Sequence, residues 1–473
     1  MDSSKLTIQD ARVLLDEGKI TAVDLAARYV ARAKERNEEL NAYLEIFDDV
    51  EEQARRADEI MAQGNATALT GIPLAIKDNI LIKGHKASSA SKILENYVAS
   101  YDAHVITKLK DAGAVFVGRT NMDEFALGSS TENSAFGPTK NPHDVMRIPG
   151  GTSGGSAAAV ADGLAIAALG TDTGGSIRQP AALCGVVGYK PTYGAVSRYG
   201  VMAAASSLDQ VGTLATTVSD AEALFETIRG IDAQDSTSLP ESSFAAMRAP
   251  KKIGVPRHFL TEGVDADVLE AFNSSLKKLE EEGYQIIEVE LPNIQYALAS
   301  YYIVNPAEVS TNLARYDGIR YGTSHKGEDL LGDYMQTRGE GFGKESRRRI
   351  LIGTFVLSSG YADAYYRKAT AVREQIRDDF RKVFESVDVI ATPTSPTPAF
   401  KIGERSSDPL EMYAADIFTV PVNLTGVPAI SIPMGKVNRD GSNLPIGMQF
   451  IAAHGADSSI FSIGKEFERI VGA

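Results

Sequence analysis

Apolar residues near the N-terminus recur at helical spacing behind two residues that can cap a helix. Thr7 stands three residues before Asp10, and Thr21 stands three residues before Asp24, which is the spacing of a capping box. The apolar face behind the second cap consists of Leu25, Tyr29, Val30 and Ala33. We therefore predict N-terminal helices over about residues 5–62.

Short apolar runs that end in polar residues follow these helices. Residues 71–78 (GIPLAIKD) and 114–121 (AVFVGRTN) have the length and composition of buried strands in a mixed or parallel sheet. Residues 155–170 (GSAAAVADGLAIAALG) form an alanine-rich run that is longer than a typical strand. For that run we predict a buried helix.

The C-terminal half alternates between strand patterns and helix patterns. Helices are predicted at about 265–282, ended by Gly283, and at about 365–387, since apolar residues recur on one face of each. The predicted strands are KKIGVP at 251–256, YQIIEVEL at 284–291, VDVIATPT at 387–394, PAISIP at 428–433 and IGMQFIAA at 446–453. This alternation is typical of an α/β protein.

The composition supports a large core and limits the partners of the chain. Apolar residues make up 43% of the 473 residues. The 48 basic and 62 acidic residues leave a net charge of −14, which opposes tight binding of nucleic acid by the chain alone. No run approaches the roughly 20 apolar residues of a membrane span, and the charged N-terminus carries no apolar signal-peptide core.

Cysteine and histidine are scarce. Cys184 is the single cysteine, so an internal disulfide is excluded and a reducing compartment, the cytoplasm, is predicted. Because Cys184 lies in an apolar stretch, we predict that it belongs to the core. The spacing of the six histidines does not match a zinc site. We predict no metal, and His85, His143 and His454 receive no role.

A glycine-rich segment offers the strongest candidate chemistry. TDTGGSIRQP, residues 171–180, places Ser176 behind two glycines. The neighbouring segment GGTSGGSAAA lacks the Gly-Lys-Ser/Thr end that a phosphate-binding loop needs. Residues 151–155 match the G-x-S-x-G pattern of α/β-hydrolases, with Ser153, Asp416 and His454 in a suitable order. No strand pattern directly precedes them, which argues against that fold.

A third interpretation uses a lysine as the base. Lys77 ends a predicted buried strand, where burial favours the neutral amine. A neutral lysine can accept a proton, and a hydroxyl of Thr152 or Ser153 could relay that proton from Ser176. The backbone N–H groups that could hold an oxyanion are those of Thr173, Gly174, Gly175 and Ser176. From the residues alone, a surface lysine beside two unrelated glycine turns remains an open alternative.

Residues 148–194, which include both glycine-rich turns, resemble the signature of the amidase-signature family. The resemblance implies an α/β fold in which a central mixed β-sheet is flanked by helices on both faces. It also implies that Ser176 is the acylated nucleophile, that Lys77 is the general base and that Thr152 relays the proton between them. The family usually has serine at the Thr152 position, whereas Ser153 matches the next family serine and is expected to support the same network.

Four further segments resemble the glutaminase subunits of tRNA-dependent amidotransferases within that family: 122–144, 312–322, 341–369 and 421–433. This resemblance implies hydrolysis of glutamine through a seryl acyl-enzyme and transfer of ammonia to a partner that amidates a mischarged tRNA. Two partners are expected: one that binds tRNA and has kinase and transamidase activity, and a small stabilising one. The first partner would use ATP and Mg, and this chain would hold no cofactor. Whether Glu-tRNA(Gln), Asp-tRNA(Asn) or both are amidated stays open.

Free glutamine carries a carboxylate and an ammonium group, so its pocket needs a cation and an anion. By match to the family, Arg349 is expected to bind the carboxylate and Asp416 to face the ammonium. A guanidinium suits this task because it pairs with a carboxylate through two hydrogen bonds. Tyr301 is expected to line the site, with Tyr302 as a competitor for that role.

The resemblance extends from about Thr7 to Gly464, so a single domain over residues 1–473 is predicted. Its parts are the N-terminal helices at about 5–62, a catalytic core at about 65–230, a surface connection at 229–250 and a C-terminal part at 251–473. The C-terminal part is expected to complete the sheet and the glutamine pocket. Two alternatives stay open: a stand-alone amidase of the same family, and a non-catalytic assembly subunit if Thr152 has disabled the relay.

Overall fold

The computed structural model describes residues 6–246, 249–260, 263–405 and 409–472. The strands within these residues are β1 (Tyr43–Ile46), β2 (Pro73–Lys77), β3 (Val115–Thr120), β4 (Ala167–Asp172), β5 (Val187–Lys190), β6 (Gln210–Ala215), β7 (Lys252–Val255), β8 (Gln285–Glu288), β9 (Val389–Pro393), β10 (Ala429–Arg439) and β11 (Ser442–Ala452). The helices there are α1 (Ile8–Asp16), α2 (Ala22–Leu40), α3 (Val50–Ala62), α4 (His104–Asp111), α5 (Gly154–Ala161), α6 (Arg178–Cys184), α7 (Val218–Ile228), α8 (Ala266–Glu281), α9 (Ala297–Asn312), α10 (Leu330–Gly341), α11 (Lys344–Leu357), α12 (Lys368–Val383), α13 (Pro409–Ala414), α14 (Val420–Thr425) and α15 (Asp457–Val471).

All eleven strands form one sheet, in the order β1-β3-β2-β4-β6-β5-β10-β11-β9-β7-β8. β2 runs parallel to both β3 and β4, and β7 runs parallel to both β8 and β9. The remaining pairs, which include β4 with β6 and β10 with β11, are antiparallel. The predicted mixed sheet is confirmed, and it joins the predicted catalytic core to the C-terminal part.

Helices cover both faces of the sheet, as β11 shows. Its Gln449 side chain accepts a hydrogen bond from Arg178 of α6, whereas the ring of the next residue, Phe450, packs against Phe467 of α15 at 5.2 Å. Successive side chains of a strand point to opposite faces. The helices α6 and α15 therefore lie on opposite sides of β11, and the predicted fold class is confirmed.

The predicted N-terminal helices are present with their predicted caps. Thr7 and Asp10 form a capping box at the start of α1, and Thr21 and Asp24 form one at the start of α2. Leu25, Tyr29 and Ala33 of the predicted apolar face are buried, and Val30 is half-buried. Local capping and a clear apolar stripe were sufficient to locate α1 and α2, but the stretch at 5–62 is not helical throughout, since β1 (Tyr43–Ile46) interrupts it.

The helix predicted over 155–170 is wrong in its second half. The alanine-rich run forms α5, turns at Asp162 and Gly163, and then enters β4. β4 is buried along its whole length between β2 and β6. Alanine is small enough for either element at a fully buried position, so composition did not distinguish a helix followed by a strand from one longer helix.

The C-terminal predictions agree with the structure. The predicted helix at 265–282 is α8, and the helix predicted near 365–387 is α12, preceded by one π-helical turn at Asp363–Arg367. The five predicted strands correspond to β7 to β11. The described part of the connection at 229–250 is mostly exposed, although Asp232 and Asp235 are buried. Among the helices of the described segments, none has both the length and the apolar character to cross a membrane.

Helices α9 and α11 pack closely, and this contact builds one wall of the candidate site. A Cβ atom at Gly353 of α11 would overlap the carbonyl oxygen of Pro306 in α9 and would lie 2.7 Å from the Cβ atom of Ser310. Any residue larger than glycine at position 353 would therefore push the two helices apart. The wall also carries Tyr301, Tyr302 and Arg349.

We predict that Gly353→Ala destabilises the protein by about 1–3 kcal/mol, because the added methyl group overpacks the α9–α11 contact. Gly339→Ala in α10 is the matched control, since a Cβ atom there would meet no atom within 4 Å. That change should be neutral or stabilising by up to about 1 kcal/mol, given the higher helix propensity of alanine. Urea unfolding of both variants measures the difference, and equal free energies of unfolding would contradict the packing argument.

Candidate active site

Lys77 is the last residue of β2, and its side chain is completely buried behind the ends of the central strands. Its Nζ lies 2.7 Å from Thr152 Oγ1, 2.9 Å from Ser153 Oγ and 2.9 Å from Thr171 Oγ1. The carbonyl oxygen of Thr171 is farther away, at 3.3 Å. Three hydroxyl groups thus surround the amine.

Burial changes the protonation of this amine. Removal from water disfavours the charged form and lowers the pKa of Lys77 from 10.5 to about 7. The charges of three carboxylates oppose this shift: Asp123, Asp172 and Asp209. A pKa near 7 leaves a large neutral fraction at neutral pH, which is the form that can act as a base.

The glycine-rich turn at residues 150–155 brings Thr152 and Ser153 beside Lys77. The peptide bond between Gly151 and Thr152 is cis. The Ser153 N–H donates to the carbonyl oxygen of Ser176 at 3.0 Å, and the Ser153 hydroxyl donates to the carbonyl oxygen of Thr171 at 3.1 Å. Within the described part of the chain, no hydrogen bond joins Thr152 Oγ1 to Ser176 Oγ. Of the two hydrogen bonds that the predicted relay needs, the one between Lys77 and Thr152 is therefore present. The one between Thr152 and Ser176 is not present in the described structure.

Ser176 lies in the loop between β4 and α6 and is 7% exposed. The Asp172 carboxylate organises this loop, because it accepts the N–H groups of Gly175 at 2.9 Å and Ile177 at 3.1 Å. Gly175 has φ +133°, a conformation that favours glycine. A side chain at Gly175 would also collide with Thr419.

One predicted oxyanion donor is already engaged in the structure. The Gly175 N–H points to Asp172, so the prediction that it would face an oxyanion is not met. Two further hydrogen bonds hold the loop just before Gly175. The Thr173 hydroxyl donates to Asp209 at 2.7 Å, and the Thr419 hydroxyl donates to the carbonyl oxygen of Gly174 at 2.7 Å. The predicted donors that remain are the N–H groups of Thr173, Gly174 and Ser176.

Asp172 forms a completely buried ion pair with Arg178 at 2.9 Å. Arg178 also donates to Gln449 of β11 and to Asn423 of α14, both at 2.6 Å. Burial by itself raises the pKa of Asp172, but the charge and hydrogen bonds of Arg178 outweigh it and hold the pKa well below its ordinary value. We call residues 173–177, which carry Ser176, the nucleophile loop. The ion pair thereby links this loop to the C-terminal half of the sheet.

Arg349 projects from α11 and is almost fully buried. Its Nε donates to Glu345 at 2.7 Å and its Nη1 donates to Asn305 at 2.9 Å. The guanidinium lies over the rings of Tyr302 and Tyr413, at 4.7 and 5.0 Å. Among the residues that the structure describes, Nη2 has no hydrogen-bond partner, so its two N–H groups remain available to an anion.

Asp416 lies between α13 and α14 and is 7% exposed. Its Oδ2 accepts a hydrogen bond from Ser129 at 2.5 Å. Burial raises the pKa of Asp416 to about 7, although the Ser129 hydrogen bond and the charge of Arg349 act in the opposite direction. A cation bound beside Asp416 would favour its ionised form.

The two competing tyrosines occupy different positions. Tyr301 lies with its ring and hydroxyl against Gly174 in the nucleophile loop, and its hydroxyl accepts a bond from Asn305 at 3.4 Å. Tyr302 stacks on Tyr413 at 3.8 Å and supports Arg349. Tyr301 is therefore the tyrosine beside the predicted oxyanion donors, and Tyr302 belongs to the guanidinium end of the site.

Sequence reasoning missed several polar residues that hold the site together. The Gln179 side chain accepts the N–H of Gly151 at 2.9 Å and donates to the carbonyl oxygen of Ser129 at 3.0 Å. It thus links the nucleophile loop to the turns that carry Thr152 and Ser129. Gln179 and Arg178 follow Ser176 closely, so their position in the signature segment was the available signal. Ser129 lies in the segment 122–144 that resembles the family, but its partner Asp416 is distant in sequence and no local pattern marked the contact.

The α/β-hydrolase interpretation is not supported by the geometry. Ser153 bonds to Lys77 and Thr171, whereas Asp416 bonds to Ser129. His454 lines a different cavity of about 800 Å³, together with residues of α12. These three residues therefore do not form a hydrogen-bonded triad. Cys184 is completely buried, in agreement with its predicted place in the core.

Comparison with known proteins agrees with the geometry of the site. The family model described as Amidase matches residues 24–461. The A subunit of glutamyl-tRNA(Gln) amidotransferase from Thermoanaerobacter pseudethanolicus is 52% identical, over 99% of this chain and 97% of that protein. The crystal structure of the corresponding protein from Thermotoga maritima is 44% identical with a TM-score of 0.82, over 99% of this chain and 95% of that chain. A crystal structure described as an amidase is 30% identical with a TM-score of 0.83, over 99% and 100% of the two chains.

We predict that Asp172→Asn destabilises the protein by about 3–5 kcal/mol, because it leaves the Arg178 charge buried without a counter-charge. Asp378→Asn is the matched control, since Asp378 pairs with Arg381 on the exposed face of α12. Loss of an exposed pair should cost no more than about 1 kcal/mol. Urea unfolding at neutral pH measures both changes. Equal, small effects of the two substitutions would show that the buried pair does not hold the loop.

Proposed function

Because the chain belongs to the amidase-signature family, we propose that it is the glutamine-hydrolysing subunit of a tRNA-dependent amidotransferase. One observation carries the proposal: a buried guanidinium and a buried carboxyl group both lie close to the loop that carries the serine of a serine–lysine site. Arg349 reaches the nucleophile loop through Asn305 and Tyr301. Asp416 reaches it through Thr419, whose hydroxyl contacts the carbonyl oxygens of both Asp416 and Gly174.

The first half of the proposed reaction forms an acyl-enzyme. Ser176 Oγ attacks the side-chain amide carbon of glutamine, and its proton passes through the Thr152 hydroxyl to neutral Lys77. The negative charge on the amide oxygen is held by backbone N–H groups of the loop. Lys77 then returns the proton through Thr152 to the leaving nitrogen. The C–N bond breaks, ammonia leaves and a glutamyl ester of Ser176 remains.

The second half hydrolyses the ester. A water molecule gives its proton through the same relay to Lys77 and attacks the ester carbon. The bond to Ser176 Oγ breaks, and Ser176 regains the proton from Lys77. Glutamate leaves with the oxygen of that water. Lys77 is neutral again, so one cycle consumes glutamine and water and yields glutamate and ammonia.

Recognition of free glutamine follows from these two charged groups, because the α-carboxylate and the α-ammonium group of glutamine are attached to the same carbon. The available Nη2 of Arg349 suits the α-carboxylate, and Asp416 suits the α-ammonium group. The raised pKa of Asp416 means that binding of an ammonium group also draws this carboxyl group into its ionised form. An amide that lacks both charged groups would use the same serine and lysine without these contacts.

The partners follow from the relatives. Proteins that are similar over nearly the whole chain carry the name of the A subunit of glutamyl-tRNA(Gln) amidotransferase. We assign the acceptor of the ammonia, the tRNA and the use of ATP and Mg to partner subunits. The net charge of −14 supports this division, because it opposes tight tRNA binding by this chain alone. The single cysteine supports a reducing compartment, the cytoplasm.

Ser176→Ala tests the nucleophile. Glutamine hydrolysis should fall to background because the attacking oxygen is gone, while the assembled complex should still amidate mischarged tRNA when free ammonia is supplied. Ser386→Ala is the control, since that hydroxyl donates to the carbonyl oxygen of Val383 at the end of α12. It should keep full activity. Near-normal glutamine turnover by Ser176→Ala would disprove the assignment.

Arg349→Met tests the substrate. KM for glutamine should rise about 10- to 150-fold, the factor expected for loss of a hydrogen-bonded charge pair. Hydrolysis of a small amide without a carboxylate, such as propionamide, should change little. Arg348→Met is the matched control, because Arg348 is exposed and pairs with Glu345 beside it. An Arg349→Met variant that loses both substrates equally would contradict the proposed contact between Arg349 and the α-carboxylate.

A further inference from the structure

Thr171 contributes the third hydroxyl group around Lys77, and the proposed relay gives it no task. It is the fifth residue of β4 and is almost fully buried. Its Oγ1 lies 2.9 Å from Lys77 Nζ, the same distance as Ser153 Oγ. Asn79, two residues after Lys77, donates to Thr171 Oγ1 at 3.1 Å. We infer that Thr171, held by Asn79, is a positioning residue that stabilises the ammonium form of Lys77 during proton transfer.

The count of donors and acceptors supports this role. When Lys77 takes a proton, it has three N–H groups and no lone pair. Three hydroxyl oxygens lie within 2.9 Å of its nitrogen: those of Thr152, Ser153 and Thr171. The ammonium form can therefore satisfy every N–H group with a hydroxyl oxygen. The neutral amine has two N–H groups and one lone pair, so it needs one acceptor fewer, and its lone pair can take a hydrogen bond from the Thr152 hydroxyl in the proposed relay.

Thr171 acts on this cluster through its backbone as well. Its N–H donates to Ser153 Oγ at 3.3 Å, and its carbonyl oxygen accepts the Ser153 hydroxyl at 3.1 Å. The carbonyl oxygen thus takes up the hydrogen of Ser153, which leaves Ser153 Oγ free to accept from Lys77. Thr171 provides one acceptor directly and orients a second one. Thr171 belongs to β4, which pairs with β2 on one side and with β6 on the other.

Asn79 fixes the hydroxyl group of Thr171. Its Nδ2 donates to Thr171 Oγ1, and within the described residues its buried Oδ1 has no hydrogen-bond partner. The observed orientation therefore keeps a donor on the far side of Thr171 Oγ1.

The test uses the pH dependence of Ser176 reactivity. A fluorophosphonate forms a covalent bond to Ser176 Oγ and releases fluoride, and the serine proton must pass to Lys77. The rate constant for this labelling should rise with pH through the pKa of Lys77. Thr171→Val removes the hydroxyl group and keeps the branched shape. Because the ammonium form loses an acceptor, the pH midpoint should fall by about one to two units, and the plateau rate should fall about 10- to 100-fold.

Conservative and matched variants separate this role from a general structural one. Thr171→Ser should restore both the midpoint and the plateau. Asn79→Ala should lower the midpoint less than Thr171→Val, and the double variant should match Thr171→Val alone because both act through one contact. Thr213→Val in β6 removes a buried threonine hydroxyl that donates to Ala221, and its labelling profile should match that of the wild type.

A Thr171→Val protein with the wild-type midpoint would overturn the inference, even if its plateau were lower. If Thr171→Val fails to fold, an unchanged midpoint in Asn79→Ala would overturn it as well. The inference rests on the proposed Ser176–Lys77 site, yet the labelling does not require glutamine. A wild-type protein that reacts with the fluorophosphonate but does not hydrolyse glutamine would disprove the proposed substrate and leave the midpoint comparison valid.

Discussion

The buried ion pair between Asp172 and Arg178 is the interaction on which the rest of the site depends. Its carboxylate organises the turn that presents Ser176, and its guanidinium reaches β11 and α14. A buried pair of this kind is costly unless every lone pair and proton is satisfied. Here the two oxygens of Asp172 accept backbone, guanidinium and amide donors. The charge is thereby stabilised, and its hydrogen bonds hold the nucleophile loop in the observed conformation.

The same negative charge affects the base. Burial alone would make Lys77 strongly neutral, and Asp172, with Asp123 and Asp209, restores part of its basicity. The two effects leave the pKa at about 7, which suits an amine that must gain and lose a proton in each cycle. One carboxylate therefore serves both the geometry of the nucleophile and the protonation of the base. Substitutions at Asp172 affect both properties together.

Sequence reasoning located most of the fold and named residues that the structure brings together at the candidate site, but it found few of the residues that support them. Capping boxes and an apolar stripe located α1 and α2, since those signals are local. The prediction of one helix over residues 155–170 failed because alanine fits a buried helix and a buried strand equally well. Ser129 and Asn79 could not be predicted, because their partners Asp416 and Thr171 are distant in sequence and no periodic pattern marks such hydrogen bonds.

The proposed recognition of an amino acid requires segments that are distant from one another in the chain. Arg349 comes from α11, Asp416 from the segment before α14, and Ser176 from the loop after β4. Each polar group is buried against a partner from another segment, such as Asn305 for Arg349 and Ser129 for Asp416. Burial strengthens these electrostatic contacts because little water competes with them. The proposed contacts to the two charged groups of glutamine therefore require that the α9–α11 wall and the sheet are assembled.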